Sequence, residues 1–107
     1  MNTTETTPKL GIVYILLSNG YHKIGCTKRS LSDRLKAFST GNPMSITCLH
    51  YIVCKKYPCN KIEKYLHEMS FGYRITNNSG QKEWFKLDEE YLEWLKSVKC
   101  DLDLFKE

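Results

Sequence analysis

The stretch that decides the fold lies near the start of the chain and reads GIVYILLS (residues 11–18), NG (19–20) and YHKIGCTK (21–28). Asn-Gly between two strand-like runs is a strong hairpin signal, because both residues tolerate the positive φ of a two-residue turn. The sequence therefore predicts two antiparallel strands joined at Asn19 and Gly20.

Counting outward from this turn gives the pairing register. Tyr14 then faces Gly25, and Leu16 faces Lys23. Directly opposed residues of an antiparallel pair lie on the same face of the sheet. One face is therefore expected to hold a phenol and an ammonium as diagonal neighbours, with a gap at Gly25 beside the ring. The first strand is apolar on both faces, which predicts a central position in the sheet.

The length and composition indicate a single domain. A chain of 107 residues, 41% of them apolar and 26% charged, can bury one core without help from disulfides or metals. We expect a flexible N-terminal tail over residues 1–9, one domain over 10–100 and a short C-terminal tail over 101–107. The sequence contains neither a membrane-spanning run nor the apolar core of a signal peptide. An intracellular location, cytoplasm or nucleus, is therefore expected.

Charge is distributed unevenly along the chain. Residues 1–60 contain eight Lys or Arg and two acids, a balance of +6, whereas residues 61–107 contain eight Lys or Arg and ten acids, a balance of −2. A basic half predicts a polyanionic partner, of which nucleic acid is the commonest. From charge alone, a merely solvated basic surface remains an equal alternative.

The five cysteines leave two interpretations open. Without a secretory signal, free thiols in a reducing compartment are the default. A structural zinc site is the alternative, although no CxxC pair is present and such sites usually contain one. Its candidate ligands are Cys48, His50, Cys54, Cys59 and His67.

A first helix is predicted directly after the hairpin. Ser30 and Asp33 are spaced as a capping box. Gly41-Asn42-Pro43 is expected to end the helix, because Gly favours the left-handed cap and Pro cannot continue it. The apolar stripe comprises Leu31, Leu35 and Phe38.

The rest of the chain predicts one more strand and two more helices. A strand is expected over residues 45–54, a helix from Pro58 to Gly72, and a last helix over 88–98. Short extended segments are expected over 73–76 and 82–87. In the second helix the apolar stripe comprises Ile62, Tyr65, Leu66 and Met69. The fold class is therefore α+β: a small three-stranded antiparallel sheet flanked by helices, with a β-β-α-β-α core and a C-terminal helix.

Three polar residues are suited to phosphodiester cleavage. Tyr14 lies within the central strand, and Arg34 and Glu63 each border the apolar stripe of a helix. A carboxylate can hold Mg²⁺ through oxygen, and a guanidinium can clamp a phosphate. A phenol acidified by a nearby cation can deprotonate the attacking water.

These residues stand within motifs whose order and spacing resemble the GIY-YIG nuclease superfamily, most closely its T5orf172 or Mug113 type. The resemblance covers roughly residues 10–87. Its motifs are Val13-Tyr14, Lys23-Ile24-Gly25, Arg34-Leu35, Ser39-Thr40-Gly41-Asn42-Pro43, Ile62-Glu63 with His67, Arg74, and Glu83-Trp84-Phe85.

The resemblance implies metal-dependent cleavage of DNA with Mg²⁺ or Mn²⁺. It implies Tyr14 as the base, Arg34 on the phosphate and Glu63 on the metal. The chain departs from the superfamily at Lys23, where the second tyrosine of the pattern would stand. We therefore include Lys23 among the catalytic candidates, with the hypothesis that its ammonium lowers the pKa of Tyr14.

The partner expected from these features is DNA. The candidate DNA contacts are Lys28, Arg29, Arg34, His67 and Arg74. His67 is four residues from Glu63 on the same helix face, so orienting that carboxylate and simple packing remain alternatives. Little surface is left for reading the DNA sequence, so strong site specificity would require a homodimer or another partner.

The competing functions are a non-catalytic nucleic-acid-binding module of the same fold and, more distantly, a zinc-stabilised interaction domain.

Overall fold

Four strands form one antiparallel sheet. The computed structural model describes residues 9–39, 46–75 and 84–105, with the side chains of 37–39 excepted. The strand order is β3-β1-β2-β4. The strands are β1 (Ile12–Ser18), β2 (Tyr21–Thr27), β3 (Thr47–Val53) and β4 (Trp84–Phe85). The α+β class is confirmed, but the prediction of three strands is wrong, because the two-residue β4 forms only through long-range pairing with β2.

The hairpin has the predicted register. Asn19 and Gly20 adopt φ of 54° and 82°, the positive values that a tight two-residue turn requires. Tyr14 pairs with Gly25, and Leu16 pairs with Lys23. The position of the turn therefore decides which side chains share a sheet face.

Strand β1 is central, as predicted, and is covered on both faces. Tyr14 and Leu16, on one face, are 1% and 0% exposed. The other face packs in the main core, which it shares with β2, β3 and the helices that follow β3. Members of that core include Val13, Ile15, Ile24, Ile52, Ile62, Leu66, Phe85 and Leu95.

Four helices lie within the described parts of the chain. They are α1 (Leu31–Ser39), α2 (Cys59–Met69), α3 (Glu89–Ser97) and α4 (Asp101–Leu104), and a 3₁₀ turn covers Phe71–Tyr73. The predicted cap at Ser30 is present, since its hydroxyl accepts the Asp33 N–H at 3.2 Å. Asp88 caps α3 by accepting the N–H of Glu90. Helix α2 buries Ile62 and Leu66 as expected, but Met69 is 41% exposed, because the helix ends there.

Several predictions lie outside the described residues. They concern most of the N-terminal tail, the helix stop at residues 41–43, the side chain of Phe38 and the segment 76–83 that includes Glu83. No helix among the described residues is both long and apolar enough to cross a membrane.

The predicted C-terminal tail differs from the structure, which forms helix α4 there. Asp101 is fully buried, and its carboxylate accepts the backbone N–H groups of Lys55, Lys56 and Tyr57 at 2.7 to 2.9 Å. Burial alone would raise the pKa of Asp101, but these hydrogen bonds outweigh it and hold the pKa below its usual value. The carboxylate thus fixes the loop that leads into α2, the helix that carries Glu63.

Asp101→Asn is expected to lower the free energy of unfolding at pH 7 by about 2–3 kcal/mol, because hydrogen bonds to a charged acceptor are lost. Since the pKa of Asp101 is lower in the folded state, this stabilisation is complete above the ordinary Asp pKa and lost as the pH falls through the folded value. Urea unfolding of both proteins at several pH values from about 3 to about 7, a range that brackets the ordinary pKa of Asp, measures the effect. The control is Glu93→Gln on the exposed side of α3. An equal loss in both variants would contradict the role of Asp101.

Candidate active site

The ring of Tyr14 lies directly on the backbone of Gly25. A Cβ atom at Gly25 would come within 2.6 Å of the Tyr14 hydroxyl oxygen and 2.7 Å of two ring carbons. The expected gap beside the ring is therefore wrong, since the ring itself fills the space. The absence of a side chain at Gly25 allows the phenol to lie flat across β2 and fixes where its oxygen emerges.

Arg34 contacts that oxygen from helix α1. Its Nε–H donates to the Tyr14 hydroxyl at 3.2 Å. The hydroxyl and carbonyl of Ser30 accept the N–H groups of Asp33 and Arg34, which fixes the start of the helix one turn before the guanidinium. Arg34 is exposed as a residue, so the guanidinium links a buried phenol to solvent.

The pKa of Tyr14 is raised above its usual value. Burial is the largest cause, and the charges of Cys26 and Glu63 add to it, while the hydrogen bond and charge of Arg34 act in the opposite direction. The expectation of an acidified phenol is therefore wrong for the protein on its own. At neutral pH the Tyr14 hydroxyl keeps its proton.

Glu63 reaches the end of β2 from helix α2. The thiol of Cys26 donates to Glu63 Oε1 at 3.3 Å, and His67 Nε2 lies 3.7 Å from Oε2. Burial, followed by the charge of Glu63, raises the pKa of the Cys26 thiol strongly, so that it remains a donor. Cys26 follows Gly25 on β2 with its side chain on the opposite, core face, so Glu63 approaches this part of the strand from the side opposite the Tyr14 ring.

His67 is fixed between the helix and the sheet. Its Nε2–H donates to the Ile24 carbonyl at 2.8 Å, and its ring lies edge-on to Phe85 with centroids 5.2 Å apart. Because Ile24 uses the Nε2 proton, the contact with Glu63 is electrostatic. These contacts are those of a packed helix histidine, and orienting Glu63 and contacting DNA both stay predictions.

Lys23 lies on the predicted face of the sheet, and its ammonium lies over the ring of Trp84. Its Nζ is 5.7 Å from the ring centroid of Trp84, the residue opposite it on β4. Arg34 is a cation that hydrogen-bonds the Tyr14 phenol. The hypothesis that Lys23 lowers the pKa of Tyr14 stays a prediction.

The remaining candidate DNA contacts occupy two places. Lys28 and Arg29 are exposed between β2 and α1, the two elements that carry Gly25 and Arg34. Arg74 bridges to Phe85 and so lies beyond β4, with its guanidinium carbon 5.1 Å from the centroid of the Phe71 ring. Arg74 is therefore separated from Tyr14 by two strands of the sheet.

Glu63 stays the predicted metal ligand. Its side chain is 22% exposed, and a carboxylate has about four lone-pair sites, of which the Cys26 thiol occupies one. One carboxylate with water fits a Mg²⁺ or Mn²⁺ ion, which commonly keeps several waters. Among the described residues, no group of three or more His, Cys, Asp or Glu could hold a metal, which includes all five zinc candidates.

Sequence reasoning missed two contacts of the site. One is the Cys26 thiol on Glu63, and the other is Trp84 beneath Lys23. The register of β1 and β2 placed Cys26 next to Gly25 and on the core face, so a partner from a core-packing helix could have been expected. The sequence predicts an extended segment over residues 82–87, but nothing in it indicates that Trp84 pairs with Lys23 on β2.

Gly25→Ala is expected to lower the free energy of unfolding by about 1–3 kcal/mol, because the added methyl group overlaps the Tyr14 ring. The matched control is Gly72→Ala, since a Cβ there meets nothing within 4 Å. That control should change stability by less than about 0.5 kcal/mol. Urea denaturation midpoints measure both. Equal effects would contradict the close packing of ring on glycine.

Comparison with known proteins places this site in a family context. The T5orf172 domain matches residues 11–99, which includes the hairpin, α1, α2 and all the candidate catalytic residues. No curated protein and no solved structure matches the chain. The match confirms the T5orf172 part of the resemblance. The chain belongs to the T5orf172 domain family, which is associated with the GIY-YIG-like nuclease fold.

Proposed function

We propose that the chain is a metal-dependent endonuclease that hydrolyses phosphodiester bonds of DNA. The observation that carries this proposal is the hydrogen bond from Arg34 to Tyr14 above Gly25, with Glu63 close enough to shift the pKa of the same phenol. In this proposal α1 supplies the phosphate clamp, β1 the proton acceptor and α2 the metal-binding carboxylate. The family match to a nuclease-like domain supports it.

Arg34 binds the scissile phosphate. A guanidinium has five N–H donors, and the bond to Tyr14 uses Nε–H. This bond holds the planar group in one orientation before the substrate arrives, which lowers the cost of binding a phosphate oxygen. The positive charge of Arg34 then stabilises the negative charge that develops on the phosphate as water attacks.

Tyr14 receives the proton of the attacking water. In this step the water oxygen bonds to phosphorus and its proton passes to the phenolate oxygen. The bond from phosphorus to the leaving sugar oxygen breaks, and that oxygen takes a proton from solvent water. Because the pKa of Tyr14 is raised, only a small fraction of the protein has the phenolate at neutral pH. The burial that positions the base therefore makes cleavage dependent on alkaline pH.

Glu63 would hold a single Mg²⁺ or Mn²⁺ ion, with the Cys26 thiol orienting the carboxylate and His67 nearby at 3.7 Å. Such an ion offsets phosphate charge when bound.

The exposed Lys28 and Arg29 contact neighbouring phosphates. We further propose that the protein acts inside the cell and belongs to the Mug113-like branch of the superfamily. Where cleavage is strongly site-specific, we propose that the active form is a homodimer.

A non-catalytic DNA-binding module is the second candidate. Two observations favour it: the raised pKa of Tyr14, and Lys23 at the position of the second tyrosine, where its ammonium lies over Trp84. Such a module would bind DNA with a steep salt dependence and would leave it intact.

Supercoiled plasmid with about 10 mM Mg²⁺ or Mn²⁺, enough to saturate a weak carboxylate site, is expected to be nicked by the wild-type protein. Glu63→Gln should slow nicking by at least about 100-fold, because the metal-binding charge is lost. The matched control is Glu68→Gln on the same helix, which is exposed and should be as active as wild type. Salt-dependent binding without nicking would instead support the module.

The rate of nicking is expected to rise about tenfold per pH unit between about pH 7 and pH 9, because the phenolate fraction rises with pH below a raised pKa. Tyr14→Phe should be slower by about 10²–10⁴-fold and lose this slope. Single-turnover rates measured in overlapping buffers give both profiles. An unchanged slope in Tyr14→Phe would show that Tyr14 is not the base.

A further inference from the structure

Two aromatic and two cationic side chains continue the sheet face that carries Tyr14. The pairing of β1 with β2 puts Tyr14, Gly25 and Lys23 on this face, and the pairing of β2 with β4 adds Trp84. Side chains two residues apart on a strand share a face, which adds Tyr21. We call Tyr21, Lys23, Trp84 and Lys86 the β2–β4 strip.

In the strip, a lysine ammonium lies over each aromatic ring. The ring and the lysine come from different segments, one from β2 and the other from β4 or the residue after it. Lys23 Nζ lies 5.7 Å from the centroid of Trp84, and Lys86 Nζ lies 5.4 Å from the centroid of Tyr21. Tyr21 is 39% exposed, Lys86 is exposed, and Lys23 and Trp84 are half-buried. The strip therefore alternates rings and positive charges at the surface.

The strip begins next to the candidate active site. Lys23 is two residues from Gly25, on which the Tyr14 ring lies, and Tyr21 is two residues farther away. A nucleotide chain along β2 would pass from Tyr21 over Trp84 toward the Arg34 and Tyr14 pair. The positive charges of the strip complement the phosphates of such a chain.

We propose that the β2–β4 strip binds unpaired nucleotides of single-stranded DNA, with bases stacked on Trp84 and Tyr21 and phosphates bound by Lys23 and Lys86. Every base offers a face for stacking on an aromatic ring, and lysines beside the rings track the backbone. In a duplex the bases are already stacked on each other and cannot reach the rings. The inference that this strand is then cleaved rests on the proposed function.

The strip also gives Lys23 a physical role in this chain. The ammonium leaves the Trp84 ring for a phosphate while the ring accepts a base, and both exchanges favour binding, because a base stacks on a ring more strongly than an exposed ammonium does. In this account Lys23 acts through DNA binding, and its effect on the pKa of Tyr14 is a separate prediction.

The test measures DNA binding in EDTA, so that cleavage cannot interfere. A fluorescein-labelled oligothymidylate and a labelled duplex are titrated with the protein, and anisotropy gives both dissociation constants. Trp84→Leu is expected to weaken single-strand binding about tenfold. The matched control Trp94→Leu, on the exposed side of α3, should weaken it less than about twofold, a limit well below one stacking contact. Lys23→Ala should reduce the salt slope of single-strand binding by about 0.7.

A second measurement detects stacking directly and does not depend on the stability of Trp84→Leu. The chain has two tryptophans, so Trp94→Phe leaves Trp84 as the only indole. Single-stranded DNA is expected to quench its fluorescence, and the duplex is not. Absence of quenching with single-stranded DNA, or equal binding of both DNAs, would overturn the strip as a nucleotide site.

These outcomes separate the strip from the proposed nuclease. Metal-dependent nicking that Glu63→Gln abolishes, without a preference for single strands, would overturn the strip and keep the nuclease. Quenching and binding that depend on Trp84, in a protein that nicks neither DNA, would support the strip as a binding site and overturn the nuclease.

Discussion

The close contact between the Tyr14 ring and the bare backbone of Gly25 determines the geometry of the candidate site. It requires a glycine, since a Cβ would lie 2.6 Å from the phenol oxygen, and it requires the register set by the Asn19-Gly20 turn. Because β1 and β2 both belong to a covered part of the sheet, the Tyr14 side chain cannot rotate away from Gly25. Its oxygen therefore has one position, in which Arg34 can bind it.

This rigid placement has an electrostatic cost. The burial that fixes Tyr14 also raises its pKa, and the single guanidinium of Arg34 only partly offsets that effect. A neutral phenol accepts the Arg34 N–H and stays protonated near pH 7. In the proposed nuclease, the deprotonation of Tyr14 therefore limits the rate of cleavage. The negative charge of Glu63 opposes this deprotonation, and a cation bound to Glu63 would offset that charge.

Much of the site could be predicted because it depends on local signals. The Asn-Gly turn determined the register, and the capped start of α1 and the Pro58 start of α2 placed Arg34 and Glu63 on helices near the hairpin. The features that could not be predicted depend on long-range contacts. Strand β4 has two residues and no pattern of its own, and without it the partner of Lys23 was unknown. Asp101 was assigned to a tail because nothing local indicates that it accepts three N–H groups from a distant loop.

A double-mutant cycle of Tyr14→Phe and Arg34→Lys in single-turnover cleavage tests most directly whether these two residues form one functional unit. Arg34→Lys keeps the charge and removes the Nε–H that binds the phenol. The account predicts that the double variant cleaves within about threefold of the slower single variant, because either change breaks the same arrangement. A double variant slowed by the full product of the two single effects would contradict it, since the two residues would then act independently.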